Sequence, residues 1–426
     1  MQLLRLVAEH LLRVADIRID GGRPWDIQVH DRRAFIHALC LGSIGFGDAY
    51  VAGWWTCEDL EEMAFRVARA RLEEKVAERL PGGLAARLLS ALFNQQTRVG
   101  SLQVAKRHYN LGNDLFLSFL GARKNYSCGY FKDTHDLDVA QAQKLELLCR
   151  KLRLRPGERL LDIGGGWGEF ARYAAKHHGV RVTSINISDE QIRFARDYCR
   201  GLDVEVLKCD YRNVTGRFDK VAAIAMFTHV GYRNYRAFFS KVHEVLEPDG
   251  VFVMEGIWGS VAMKTIDAWI EKHIFPNSQL PSAAQTFGAS EGLFTVEHLH
   301  NFGHAYAQTL RAWKRNLEAA WPALAARHDE AVLRVFQYYF SMCAGYFRAR
   351  SVHNWQLVFS KRQLGHAPRP WLLDDERPAR PITLAPRALQ LARHGHEPQH
   401  ADDAPPASER HPASEPSPPS EPQPSE

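Results

Sequence analysis

Two hydrophobic rhythms divide the chain. Between residues 150 and 260 short apolar runs alternate with amphipathic stretches. The runs at 159–163, 181–187, 203–207, 219–225 and 250–257 read as strands, and helical spacing fills about 168–178, 189–200 and 234–246. This alternation predicts a mostly parallel sheet covered on both faces, with ligands beyond the carboxyl ends of its strands. Earlier, Leu3, Leu4, Val7, Leu11 and Leu12 recur at helical spacing, and Leu60 to Phe93 is again helical with one break at Pro81-Gly82-Gly83. Residues 261–360 are rich in aromatics and read as a largely helical cap over the site. After about 375 the periodicity fades into Pro, Ser, Glu and His, and residues 395–426 read as disordered. The expected divisions are a small, mostly helical domain over 1–95, the sheet with its cap over 96–375, and a disordered tail over 376–426.

The most specific local signal lies at the first of these strands. Leu160-Leu161-Asp162-Ile163 runs into Gly164, Gly165, Gly166, Trp167 and Gly168, and a helix opens at about Glu169. A strand, a glycine turn and a helix in that order let backbone approach a ligand closely. The spacing is not the dinucleotide Gly-x-Gly-x-x-Gly, and no Walker Lys-Ser/Thr follows. An Asp before a Gly-x-Gly-x-Gly turn resembles the S-adenosylmethionine (SAM) loop of Rossmann-like class I methyltransferases. In that frame Asn186 ends the second strand, where most such enzymes place an acid for the ribose hydroxyls. Gln191 opens the next helix toward the ligand, behind Ser188 as a ready N-cap. Asp210, Tyr211 and Arg212 follow the third strand, an acid and a flat aromatic suited to adenine.

Composition narrows the class. With 426 residues, 45% hydrophobic and 24% charged, the chain can bury a large core. No uninterrupted run of 18 apolar residues occurs, so no membrane span is expected, and charge interrupts the N-terminal leucines as it does not in a signal peptide. Seven cysteines lack paired short spacing and read as reduced thiols of a cytoplasmic protein, with no metal site. The net charge of +5 hides a tail (397–426) of −6, which leaves +11 on residues 1–396. A body so basic suits an anionic partner. Arg66, Arg69 and Arg71 with Phe65, Trp54 and Trp55 describe either a face for anionic phospholipid headgroups or a solvated helix packed on the core.

Several further segments carry a resemblance. Arg107–Phe116, Asn125–Phe131, Met226–Gly231, Ile274–Asn277, Asn301–Gly303 and Cys343–Arg350 resemble, in order, the signature segments of cyclopropane-fatty-acyl-phospholipid synthases. Gly42–Trp55 is similar to that family's N-terminal domain, which the mycolic-acid branch lacks. The resemblance spans roughly residues 10–360. It implies a SAM-dependent attack by an unactivated alkene of a membrane phospholipid, at the inner face of the membrane, by a peripheral enzyme that is plausibly a homodimer. The alkene takes the sulfonium methyl, a cation is left in the acyl chain, and a base must remove a proton from the new methyl to close the ring. Dry, aromatic walls suit that cation. No Asn/Asp-Pro-Pro-Tyr motif for a flipped base is present, so nucleic acid is not an expected partner.

By the same resemblance Tyr126, Ser127, Leu161, Asp162, the glycine turn, Asn186, Gln191, Tyr211 and Arg212 would contact SAM. Relatives hold a bicarbonate base with a cysteine, a glutamate, a histidine, an isoleucine and a tyrosine; Cys128, Ile257 and Tyr306 match. Thr228 replaces the glutamate and Glu255 the histidine, and the usual Gly-Cys-Gly has become Gly-Gly-Gly at Gly165. A carboxylate at 255 would repel bicarbonate by on the order of 4 kcal/mol at ~4 Å and an effective permittivity near 20. Glu255, directly or through a water, then becomes the expected base, with His229 as second candidate. Cys343 is expected to pack, since direct alkene attack needs no covalent step. Without prompt deprotonation the product would be a methyl-branched or methylene-bearing chain. A homologue that binds SAM or lipid without catalysis is a further reading.

Overall fold

A computed structural model describes residues 2–72, 112–262 and 266–361. Arg107–Leu111 of the first signature segment, the helix expected over 73–93 and the expected disordered tail lie outside the described residues.

The N-terminal segment supplies α1 (Gln2–Arg13), α2 (Arg33–Val51) and α3 (Leu60–Arg69), with a two-residue antiparallel ladder between Gln28–Val29 and Trp55–Thr56. After it come α4 (Asn113–Phe119) and α5 (Leu137–Leu152). The alternating region follows: β1 (Arg159–Ile163), α6 (Glu169–His178), β2 (Arg181–Asn186), α7 (Asp189–Tyr198), β3 (Val204–Lys208), β4 (Phe218–Ile224), α8 (Tyr235–Val245) and β5 (Leu246–Gly259). The last part runs α9 (Ala268–His273), α10 (Ala283–Ser290), β6 (Thr295–Asn301), α11 (Gly303–Leu324), α12 (Glu330–Arg348) and β7 (Val352–Ser360).

The seven strands form one sheet in the order β3-β2-β1-β4-β5-β7-β6. The first five are parallel and β7 is antiparallel to both neighbours. The five strands expected from the apolar runs are present within a few residues. The reading of 261–360 as a largely helical cap needs correction, because β6 and β7 extend the sheet there. Val352–Ser360 lies between two strands and is buried along most of its length, so it lacks the period-two alternation that marks a half-exposed strand. Edge strand β6 mixes histidines with apolar residues and has no buried position, its residues being exposed or half-buried.

Residues 1–72 share their core with the rest of the molecule. Trp55, Met63 and Ile17 belong to the same buried cluster as Phe116, Trp313 and Phe340, and the described residues fall in one compact unit. Two glycines permit the close approach: a β-carbon on Gly345 of α12 would stand 2.5 Å from that of Ala64 on α3, and one on Gly47 of α2 would meet Trp269 at 2.4 Å. Asp48 pairs with Lys272 (2.5 Å) and His273 (2.7 Å), and Arg348 spans Glu61 (3.0 Å) and Glu62 (2.9 Å).

By length and composition α2 is apolar enough to cross a membrane, which corrects the expectation of no such segment. Arg33, His37, Ser43 and Asp48 interrupt its apolar run and hide it from a search for unbroken hydrophobicity. The helix is broken at Gly42 (φ 59°, ψ −134°) into 33–41 and 43–51. Each half is far short of the ~20 residues that a bilayer core demands.

Candidate active site

The carboxyl ends of β1, β2, β4 and β5 open onto one cavity of about 1780 Å³. Asp162, Gly164, Gly165, Gly166 and Trp167 line it from the first turn, and Asn186, Gln191, Asp210, Tyr211 and Arg212 from the next two loops. Tyr126 and Ser127, Thr228 and His229, and Ile257, Tyr306 and Cys343 line it as well. The cavity continues to Leu11, Leu39, Leu41 and Phe46 of the N-terminal segment and to Leu310, Tyr339 and Met342 of α11 and α12. Four candidate residues stand behind this lining. Leu161 points into the core beside Phe227 and Phe238, and Gly168 turns toward Ala195 and Cys199 of α7. Cys128 and Glu255 are wholly buried one layer back.

The glycine turn has the shape a nucleoside ligand needs. Gly164 and Gly166 take positive φ (86° and 55°), and a β-carbon on Gly165 would fall 1.9 Å from Ser184 Oγ. Ser184 donates to Asp162 Oδ2 (2.9 Å), and burial pushes that carboxyl up to about 6. The loop after β2 is tied to itself: Asn186 Nδ2 donates to Gln191 Oε1 (2.9 Å) and to Gly166 O (3.2 Å), while Ser188 caps α7. Asp210 accepts from Arg212 Nε (2.8 Å) and NH2 (2.6 Å), so its carboxylate is already clamped. Tyr211 is anchored edge-on against Phe238, which fixes its ring at the cavity wall. These residues fit SAM: close backbone, a polar ribose loop and an aromatic wall, on a doubly wound sheet. Such a sheet and turn define a class I SAM-dependent methyltransferase.

The comparisons agree and go further. Residues 96–357 match the family model described as mycolic acid cyclopropane synthetase. The cyclopropane-fatty-acyl-phospholipid synthase of Escherichia coli K12 is 43% identical over 356 residues, 83% of this chain and 93% of the relative. Tuberculostearic acid methyltransferase of Mycobacterium tuberculosis is 32% identical over 84% of this chain and 90% of its own length. Among solved structures, the mycolic acid cyclopropane synthase CmaA1 complexed with SAH and CTAB superposes with a TM-score of 0.57 at 30% identity, covering 61% of this chain and 98% of that one. The chain belongs to the cyclopropane synthase family of SAM-dependent enzymes.

Behind the wall lies a buried polar network that the sequence reading missed. Lys144 and Lys151 of α5 are both buried. Lys144 Nζ donates to Ser127 Oγ (2.8 Å), and Gln141 Nε2 to Ser127 O (2.8 Å). Glu255 on β5 sits opposite Gln356 on β7 and accepts from its Nε2 at 2.7 Å; Gln356 Oε1 accepts from Lys151 Nζ at 2.8 Å. Burial pushes Glu255 up, and the Lys144 charge opposes this, followed by Gln356, Lys151 and Asn354. Its other oxygen, Oε1, makes no hydrogen bond, which in a buried carboxyl costs roughly 1–3 kcal/mol. A signal was present: Gln141, Lys144, Leu148 and Lys151 lie at helical spacing on one stripe, so polar residues occupy positions that periodicity assigns to the core.

The other candidates fall into place around this network. Burial and the Glu255 charge push the Cys128 thiol well up, and Cys128 and Glu255 also act on the Tyr306 hydroxyl, already raised by burial. His229 lines the cavity with Nδ1 3.0 Å from Ser278 Oγ, and burial pushes it down to about 4, so its imidazole is neutral and weakly basic. Burial raises the Cys343 thiol to about 12; it stays protonated and is a poor nucleophile. Thr228 offers no charge at the position where the resemblance implied a glutamate.

Proposed function

We propose that this enzyme adds a one-carbon unit from SAM across the double bond of an unsaturated acyl chain in a membrane phospholipid, closing a cyclopropane ring. The observation that carries the reading is the continuity of the cavity: one chamber joins the glycine turn to apolar side chains of α1, α2, α11 and α12. SAM supplies an electrophilic methyl group when bound. The protein holds the alkene in a dry, aromatic pocket lined by Tyr306, Phe347 and Tyr339, rings of the kind that stabilise a cationic carbon. Glu255, directly or through a held water, accepts the proton that ring closure releases, with no bicarbonate. Burial raises its pKa, which makes its ionised form a better base than an ordinary carboxylate.

The acyl chain reaches this cytoplasmic, peripheral enzyme from an anionic membrane surface. Support comes from the distribution of exposed large apolar residues: Leu3, Leu6, Val7, Val14, Ile36 and Leu41 are all in the first 41 residues, against Val261, Val296 and Leu299 elsewhere in the described chain. Exposed Arg32 and Arg33 lie close in sequence to Ile36, Arg33 being paired with Asp31. A methyl-branched or methylene product is a second reading, favoured by Thr228 and by the seat of Glu255 behind the lining. Expression in a host with mono-unsaturated phospholipids tests both. Fatty acids heavier by one CH2 support the enzyme reading, and hydrogenation separates a ring, which persists as such, from a branched alkene. Unchanged lipids beside intact SAM binding would overturn it.

A further inference from the structure

The base assigned above has a supporting pair of its own. Lys151 Nζ has only protons to offer, so the Gln356 atom 2.8 Å away must be its oxygen. The amide nitrogen is thereby turned to Glu255, where it donates to Oε2 at 2.7 Å. Lys151 Nζ also lies 3.0 Å from His300 Nδ1, and burial holds His300 down near 3, a neutral ring that accepts there. Each link in the chain His300–Lys151–Gln356–Glu255 therefore has one orientation. Its outcome is a carboxylate pinned through Oε2, while Oε1 makes no hydrogen bond. Glu255 shares its strand face with Ile257, two residues on, which lines the cavity.

We infer that Lys151, acting through Gln356, is a positioning residue for this reaction: it fixes the rotamer of Glu255 and keeps it ionised, leaving Oε1 as the proton acceptor. The proposal rests on Glu255 being the base. In the reaction the C–H bond of the transferred methyl breaks, its electron pair closes the ring, and the proton passes to Oε1, directly or relayed by a held water from the cavity that Ile257 lines; Lys151 exchanges nothing. Lys151 also lies among the groups that hold the Glu255 pKa down, so its removal raises that pKa further.

The test uses the full chain, SAM and vesicles of mono-unsaturated phosphatidylglycerol, with the Lys151→Met, Lys151→Arg, Gln356→Met and Glu255→Gln variants. SAM binding by titration identifies variants that fold. For Lys151→Met and Gln356→Met the turnover should fall about 10–100-fold, as for other supporting partners of an active group. The share of branched product should rise, and for Lys151→Met the acid limb of the rate profile should move to higher pH. Lys151→Arg should restore part of the rate. A folded Lys151→Met with an unmoved acid limb and unchanged product ratio would overturn the positioning role. If Glu255→Gln keeps wild-type rate and product, the base assignment itself fails, whatever Lys151 does.

Discussion

Ser184 Oγ occupies the space in which a β-carbon on Gly165 would sit, 1.9 Å away, while bonded to the buried Asp162. Gly165 is thus fixed by its neighbour across β1 and β2, although the family resemblance implied a cysteine there. Gly165→Cys should weaken SAM binding about 10–100-fold, in line with the ~1–3 kcal/mol that overpacking costs. Gly165→Cys with Ser184→Ala should recover most of it. Calorimetric titration with SAM checks both; equal affinity of the single variant and wild type would refute the steric account.

Glu255 and Thr228 bear on the base. Rates in carbonate-free buffer should equal those with added bicarbonate, whereas Glu255→Gln should lose about 10²–10⁴-fold in turnover with SAM affinity intact. Because Glu255 must be ionised to act and its pKa is raised by burial, activity should fall as pH drops through a value above the ordinary carboxylate range. A clear bicarbonate requirement in the wild-type enzyme would refute this assignment.

Exposed leucines of α1 and α2 should govern membrane contact. Leu3→Ser, Leu6→Ser and Leu41→Ser, combined, should reduce co-sedimentation with anionic vesicles several-fold and raise the apparent KM for lipid. SAM affinity and thermal stability should stay unchanged, since these side chains are more than half exposed. Undiminished sedimentation would remove this face as the contact.

Asp26 provides a stability test. Its carboxylate is buried, accepts from Arg23 Nε, Arg23 NH2 and the Arg18 and Arg23 amides, and lies at about 2, chiefly through the Arg23 guanidinium. A carboxyl held below its unfolded value stabilises the fold above about pH 4 and loses that contribution as pH falls through about 2. Allowing for the partial exposure of Arg23, the contribution is ~1–2 kcal/mol. Asp26→Asn should lower the unfolding midpoint at pH 7 and show a smaller further loss between pH 4 and pH 2. Parallel acid unfolding curves for the two proteins would contradict it.

Much of this was legible in the residues because local rules and global fold agree there. The β1 turn could be read from its glycines, and five strands from apolar runs bounded by helices. The antiparallel end of the sheet was not legible, since Val352–Ser360 is enclosed by neighbours that only the tertiary structure supplies. The same holds for the site. Asn186 and Gln191 follow from position in the frame and Tyr306 from the family resemblance, but Lys144, Lys151 and Gln356 act through partners up to 205 residues away in sequence. Leu161 shows the converse failure: a residue inside the right loop whose strand phase turns it into the core.

Under the membrane docking proposed above, the break at Gly42 sets how α2 would hold a bilayer. Each half of the divided helix is about 14 Å long at 1.5 Å per residue, against a hydrocarbon slab of ~30 Å. A segment docked in that way would rest among headgroups and leave again, a reversible grip. An enzyme held in this way visits many lipids in turn, and the spread of its modification across a leaflet is then set by the time spent at each landing.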